Sequence, residues 1–157
     1  MATCAHTGEA RPVNETALQA ALADAEARCV EAQERLTGPR RRVLELLLRT
    51  GGPAKAYDLI AGFGEGGVAA KPPTVYRALD FLEKQGFVHR IESLNAYVAC
   101  RKVGETHSAA FLICDCCGAT REMAPFSAKS VGALFAGSGY EINSLTLEAR
   151  GLCAACQ

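Results

Sequence analysis

The sequence has no apolar run that approaches the length of a membrane span, and its opening residues, MATCAHTGEA, lack the apolar centre of an export signal. Both absences point to a cytoplasmic chain, in which the eight cysteines are expected to be reduced. Net charge is also missing. Seventeen Lys and Arg balance seventeen Asp and Glu, so the total says nothing about partners. Histidine is scarce, with three in the chain, and every candidate imidazole ligand can therefore be enumerated. The 157 residues suffice for two compact domains of modest size, or one, each too small to be comfortable without a staple.

Charge that cancels overall is uneven along the chain. Glu15 to Glu34 holds five acids against Arg28 alone, whereas Arg35 to Arg90 holds ten bases against five acids. The middle of the chain is the electropositive part, as a nucleic-acid face requires. Residues 1–13 are polar and short of large apolar groups, and read as a disordered tail. From Asn14 to Arg35 an alanine-rich, glycine-free run predicts a helix, with Leu18, Leu22, Ala25 and Cys29 on one face. Thr37 and Pro39 open a second helix with the apolar stripe Val43, Leu44, Leu47 and Leu48, ended near Thr50 by Gly51, Gly52 and Pro53. A third covers about Ala56 to Phe63, followed by a glycine-rich loop.

Pro72 and Pro73 pre-set the first turn of a fourth helix that runs to about Gln85 and stops at Gly86, with Val75, Leu79 and Leu82 inward. Phe87 to Glu92 and Ala96 to Cys100 then read as a hairpin. Helices followed by a hairpin make a winged helix-turn-helix over residues 14–100, with the Pro72–Gln85 helix as the recognition helix. Its exposed face would carry Thr74, Tyr76, Arg77 and Lys84. The candidate DNA contacts are Tyr76, Arg77 and Thr74, with Lys71, Arg40 and Tyr57; their ordinary alternative is a set of solvated surface residues.

Residues 101–108 form a hinge, and beyond them β-prone runs predict a small α/β dimerisation domain over residues 109–157, making the whole chain α+β. Strands are expected at Ala109 to Cys114, Ala119 to Met123 and Tyr140 to Leu152, with a helix at about Ser127 to Ala136. Edges of so small a sheet pair readily across a two-fold axis, so a homodimer is expected. Two C-x-x-C pairs, Cys114 with Cys117 and Cys153 with Cys156, sit at the two ends of this domain. Such a pair on a tight turn presents both sulfurs to one metal, and Gly118 lets the backbone fold back around it. Together they offer the four thiolates of a closed tetrahedral zinc site that staples distant segments.

A second set draws on both domains: His89 on the first hairpin strand, Cys100 at the end of the second, His107 in the hinge and Glu122 after the first C-x-x-C turn. Two imidazoles and a thiolate favour zinc over iron(II) or manganese(II). His6, next but one to Cys4 in the tail, reads as solvated. Two other readings use the same residues. One is a zinc enzyme with Glu122 as general base, which needs an open coordination position and a substrate pocket that nothing else in the sequence supports. The other is a redox switch on Cys114, Cys116 and Cys117, with Cys116 an extra thiol inside the first pair.

The stretches AYDLI at Ala56 to Ile60, KPPTVYRALDFLEKQGFVHR at Lys71 to Arg90, AYVAC ending at Cys100, FLICDCCGA at Phe111 to Ala119 and GLCAAC at Gly151 to Cys156 resemble the ferric uptake regulator family, in its zinc uptake regulator branch. The resemblance spans about residues 16–157. It implies a winged-helix repressor with a C-terminal dimerisation domain and two zinc ions per monomer: a structural one on Cys114, Cys117, Cys153 and Cys156, and a regulatory one on His89, Cys100, His107 and Glu122. It also implies that Tyr76 and Arg77 touch bases of an AT-rich palindromic operator in double-stranded DNA upstream of zinc-import genes. Iron-sensing relatives carry a histidine-rich HxH stretch before the first C-x-x-C, where this chain has Thr106, His107, Ser108 and Ala109. That departure favours zinc over a relative sensing another divalent metal or redox state. The segment from Cys100 to His107 is about one residue tighter than in relatives, which bears on the placement of His107.

Overall fold

The computed structural model describes residues 13–64, 71–100, 109–123, 133, 135–140 and 145–157. Residues 1–12 of the expected tail, residues 65–70 of the loop after the third helix, the hinge with His107, and most of the helix expected at Ser127 to Ala136 lie outside them. The described residues fall into two compact units, 13–100 and 109–157.

The first unit begins with α1, Glu15–Glu31, capped by Asn14, whose side chain accepts a hydrogen bond from the Ala17 N–H at 2.8 Å. Leu18, Leu22, Ala25 and Cys29 are its buried stripe, as the three- and four-residue spacing predicts. The helix ends four residues before Arg35. Gln33 takes a left-handed conformation, φ 55°, and the Glu34 N–H turns back to the Cys29 carbonyl at 2.7 Å. That closure is normally marked by glycine, so its sequence signal is absent.

Helix α2, Gly38–Thr50, follows Thr37 with Pro39 in its first turn and closes on a left-handed Gly51, φ 66°. It packs against α1, α3, α4 and the second hairpin strand, with Val43 and Leu47 fully buried. Helix α3 spans Ala56–Gly64 and α4 spans Pro72–Lys84, the latter burying Val75, Ala78, Leu79, Phe81 and Leu82. Arg40 of α2 lies over the Phe81 ring of α4, 3.4 Å from its centroid, and donates from Nη1 to the Arg35 carbonyl at 2.6 Å.

The hairpin pairs β1, Val88–Ile91, with β2, Ala96–Ala99, antiparallel, through a tight turn that ends on a left-handed Asn95. A feature the sequence pattern does not show is a third segment beside the hairpin: Ala54 and Tyr97 exchange two backbone hydrogen bonds of 2.8 Å. This bridge anchors the segment between α2 and α3 to the hairpin and completes a winged helix-turn-helix.

The second unit holds a three-stranded sheet in the order β4-β3-β5. Strand β3, Ala109–Cys114, is central, antiparallel to β4, Thr120–Glu122, and parallel to β5, Thr146–Gly151. Phe111 is buried on β3. The last strand is shorter than the run from Tyr140 to Leu152 predicts: it spans Thr146–Gly151, and Tyr140 lies outside any strand and is exposed. The observed elements make the chain α+β, as expected. Among the described residues, no helix is long and apolar enough to cross a membrane.

Candidate metal centre and nucleic-acid face

The register of the parallel pair brings the two cysteine turns together. Cys114, the last residue of β3, lies opposite Gly151, the last residue of β5, so both strands deliver their chain to the same end of the sheet. After β3 the backbone doubles back: the Gly118 N–H donates to the Cys114 carbonyl at 3.0 Å and Gly118 takes φ 71°, open only to a residue without a β-carbon at little cost. After β5, Leu152 leads into Cys153, whose N–H donates to the Cys114 sulfur at 3.3 Å. The Cys156 N–H closes the second turn on the Cys153 carbonyl at 2.8 Å.

All four sulfurs, of Cys114, Cys117, Cys153 and Cys156, lie within 4.8 Å of one another. The Sγ atoms of Cys117 and Cys153 are 3.8 Å apart. Tetrahedral zinc with bonds of about 2.3 Å requires sulfur separations of roughly 3.8 Å, so both the donor set and the spacing fit that ion. Backbone N–H groups of Cys117 and Cys153 aimed at its sulfur pull the Cys114 thiol down to about 6, which favours the thiolate a metal needs. Cys156 moves up, through withdrawal from water and hydrogen bonding with Cys153. None of Cys114, Cys117, Cys153 and Cys156 is in a disulfide. Cys116, inside the first turn, is exposed and is not one of the four clustered cysteines.

Beside this cluster is a pair that the spacing of cysteines does not reveal. Arg150 of β5 meets Oδ1 of Asp115, the residue after Cys114, from Nε at 2.7 Å and from Nη2 at 2.6 Å. The Asp115 N–H donates to the Gly151 carbonyl at 2.7 Å, extending the β3–β5 ladder by one bond.

In the first unit, His89 faces Val98 across the hairpin, and Cys100, two residues further on, falls on the same face of the pleat. Their ligand atoms lie within 4.8 Å of each other, Cys100 buried and His89 half-buried. The Cys100 N–H is fixed to the Phe87 carbonyl at 2.9 Å. Glu122, half-buried, ends β4 of the second unit opposite Phe111. His107, Cys4 and His6 lie outside the described residues.

The face of α4 opposite its core stripe carries Tyr76, 47 % exposed, and Arg77, also exposed, with Thr74 half-buried one turn from Arg77. Lys71 caps the same helix and is exposed; Tyr57 on α3 is 78 % exposed. Two aromatic rings left in water beside bases on a winged-helix unit are the surface a DNA-binding protein presents. Arg40 differs from the others, because its guanidinium is held between Phe81 and the Arg35 carbonyl.

A winged helix-turn-helix unit followed by a small sheet that carries four converging cysteines defines a class of metal-linked DNA-binding regulators. Residues 31–150 match the ferric uptake regulator family. The chain is 44 % identical over 146 residues to the zinc uptake regulation protein of Escherichia coli (strain K12), covering 92 % of this chain and 85 % of that one. Among solved structures, a zinc uptake regulator complexed with zinc and DNA superposes with a TM-score of 0.81 at 45 % identity, covering 90 % of this chain and 95 % of that one. The holo form of XcZur gives 0.75 at 44 % identity, covering 85 % and 94 %. The chain belongs to the ferric uptake regulator family.

Proposed function

We propose that the protein is a zinc-responsive transcriptional repressor, which binds an AT-rich palindromic operator as a zinc-loaded homodimer in the cytoplasm and represses zinc-uptake genes. The observation that carries this reading is the four-cysteine cluster at zinc spacing, in a chain 45 % identical to a regulator solved with both zinc and DNA. It acts as a regulator and not as an enzyme. Cys114, Cys117, Cys153 and Cys156 hold a structural zinc, a closed set with no position left for a substrate.

His89, Cys100, His107 and Glu122 hold a second, regulatory zinc. The support is chemical: a thiolate and an imidazole already meet at Cys100 and His89, and that pair suits zinc. Because His89 and Cys100 precede residues 101–108, His107 lies within them and Glu122 follows them, joint engagement of the four ligands restrains that segment. In a dimer, the restraint decides whether two recognition helices lie about 34–36 Å apart, the spacing of successive major grooves. Arg77 and Tyr76 reach base edges. Thr74, Lys71 and Tyr57 position the helix, and Arg40 adds the guanidinium donors that Arg35 leaves unused.

Cys100→Ser tests the assignment. The change is close to isosteric and sits outside the four-cysteine cluster, so the fold and the structural zinc should survive it. Free zinc should strengthen operator binding of the native protein by ~1–3 kcal/mol, the usual size of coupling between two sites, and leave the variant unaffected. A folded Cys100→Ser protein that still tightens on DNA as zinc rises contradicts the sensor assignment.

A further inference from the structure

Cys117 and Cys153, one from each cysteine turn, are 36 positions apart in the chain, and among the described residues the end of one parallel ladder sets the spacing of the turns. Strand β5 contributes no buried residue. Past its last pair, Cys114 opposite Gly151, the turns are joined by two hydrogen bonds from backbone N–H groups, Asp115 N–H to Gly151 O and Cys153 N–H to the Cys114 sulfur. The Arg150–Asp115 contact is a side-chain link across the same joint, beside the Cys117–Cys153 sulfur contact of 3.8 Å. It ties the residue after the first ligand to the strand that ends two residues before the third.

We propose that Arg150 and Asp115 are positioning residues for the four-thiolate centre, an ionic latch that holds the two cysteine turns at chelating distance. The proposal rests on the reading of these cysteines as a zinc site. Two donors on one oxygen at 2.6 and 2.7 Å orient the Asp115 carboxylate along β5, which fixes the backbone on which Cys114 is mounted. A metal leaving a four-sulfur site must first lose one turn, and the latch opposes that separation. Both side chains are about half exposed, so the effect is small and sensitive to salt.

The test is zinc release from the full-length zinc-loaded protein to an excess of a chromogenic chelator. Release is followed in the Cys100→Ser background, so that only the four-cysteine site reports. Arg150→Ala should release zinc ~2- to 5-fold faster at low ionic strength, the size expected of an exposed ion pair, and the difference should shrink toward none near ~1 M salt. Arg150→Lys should recover part of the loss. In an Asp115→Ala background, Arg150→Ala should change nothing further, because the partner is already gone. Exchanging the charges, Asp115→Arg with Arg150→Asp, should restore slow release.

Circular dichroism confirms that each variant retains its fold. A native release rate in Arg150→Ala overturns the latch. So does an acceleration that persists in the Asp115→Ala background, which would show Arg150 acting on the thiolates directly. Protein that carries no zinc on the four cysteines at all overturns the underlying metal assignment as well, a result distinct from zinc held normally and released at the native rate.

Discussion

Replacing Cys153 by serine should unfasten the C-terminal strand while leaving the winged unit folded. Strand β5, Thr146–Gly151, has five exposed residues of six and only Glu148 half-buried, so hydrophobic burial contributes little to its attachment. Its ladder to β3 extends over six residue pairs. Each hydrogen bond contributes a net ~0.5–1.5 kcal/mol, and ordering each residue costs about 1–2 kcal/mol, so the strand alone comes out near zero. Structural zinc supplies on the order of 10–16 kcal/mol in small zinc domains. Loss of one thiolate of four forfeits enough of it to release the strand. The first unit has its own apolar core, from Leu18 on α1 to Ala99 on β2.

Hydrogen exchange read by mass spectrometry separates the two effects. In Cys153→Ser, peptides covering 145–157 should lose protection by a hundredfold or more, which corresponds to ~3 kcal/mol of local opening. Peptides covering α4 should exchange as in the native protein. Protection of β5 that persists in Cys153→Ser would refute the argument, because it would mean that the ladder holds the strand without the metal.

Two further outcomes follow from individual side chains. Arg77→Ala should weaken operator binding by ~1–3 kcal/mol, with specificity relaxed at one base pair if the side chain reads a base, in competition binding against single-substitution operators; equal weakening on all sequences would assign it to phosphate. Burial pushes the Cys29 thiol up from its ordinary value, so the folded protein holds that proton at a pH where the unfolded chain, ionising near ~8.5, has begun to lose it. The stability Cys29 contributes is therefore present below about pH 8.5 and declines as pH rises above it. A Cys29→Ala comparison by thermal melts between pH 7 and 10 should show the native protein losing stability faster, and Cys29 should resist alkylation in the folded state.

Much of this was legible in the sequence because the signals are local. Leu18, Leu22, Ala25 and Cys29 repeat at helical spacing and are all buried. Pro72, Pro73 and Gly86 punctuate α4 where it starts and stops. A C-x-x-C pair carries its donors within four residues, and the two pairs offer the four sulfurs that the structure brings within 4.8 Å of one another. What escaped depends on partners distant in the chain. Gln33 closes α1 in a conformation usually left to glycine. The Ala54–Tyr97 bridge joins one residue to a strand 43 positions on, so no periodicity announces it. The parallel match of β3 with β5, and the Arg150–Asp115 contact it creates, follow from register, which spacing along the chain does not encode. Arg40, one of the candidate DNA contacts, is stacked on Phe81, and nothing in GPRRRV says which arginine turns inward.

The central claim is that zinc controls DNA binding. The direct measurement is affinity of the purified protein for an AT-rich palindromic duplex while free zinc is titrated in a metal buffer, with iron(II) and manganese(II) run in parallel. The account predicts affinity that rises with zinc alone and saturates at two zinc ions per monomer. Affinity that ignores zinc beyond the first equivalent would contradict it, leaving a structural staple without a sensor.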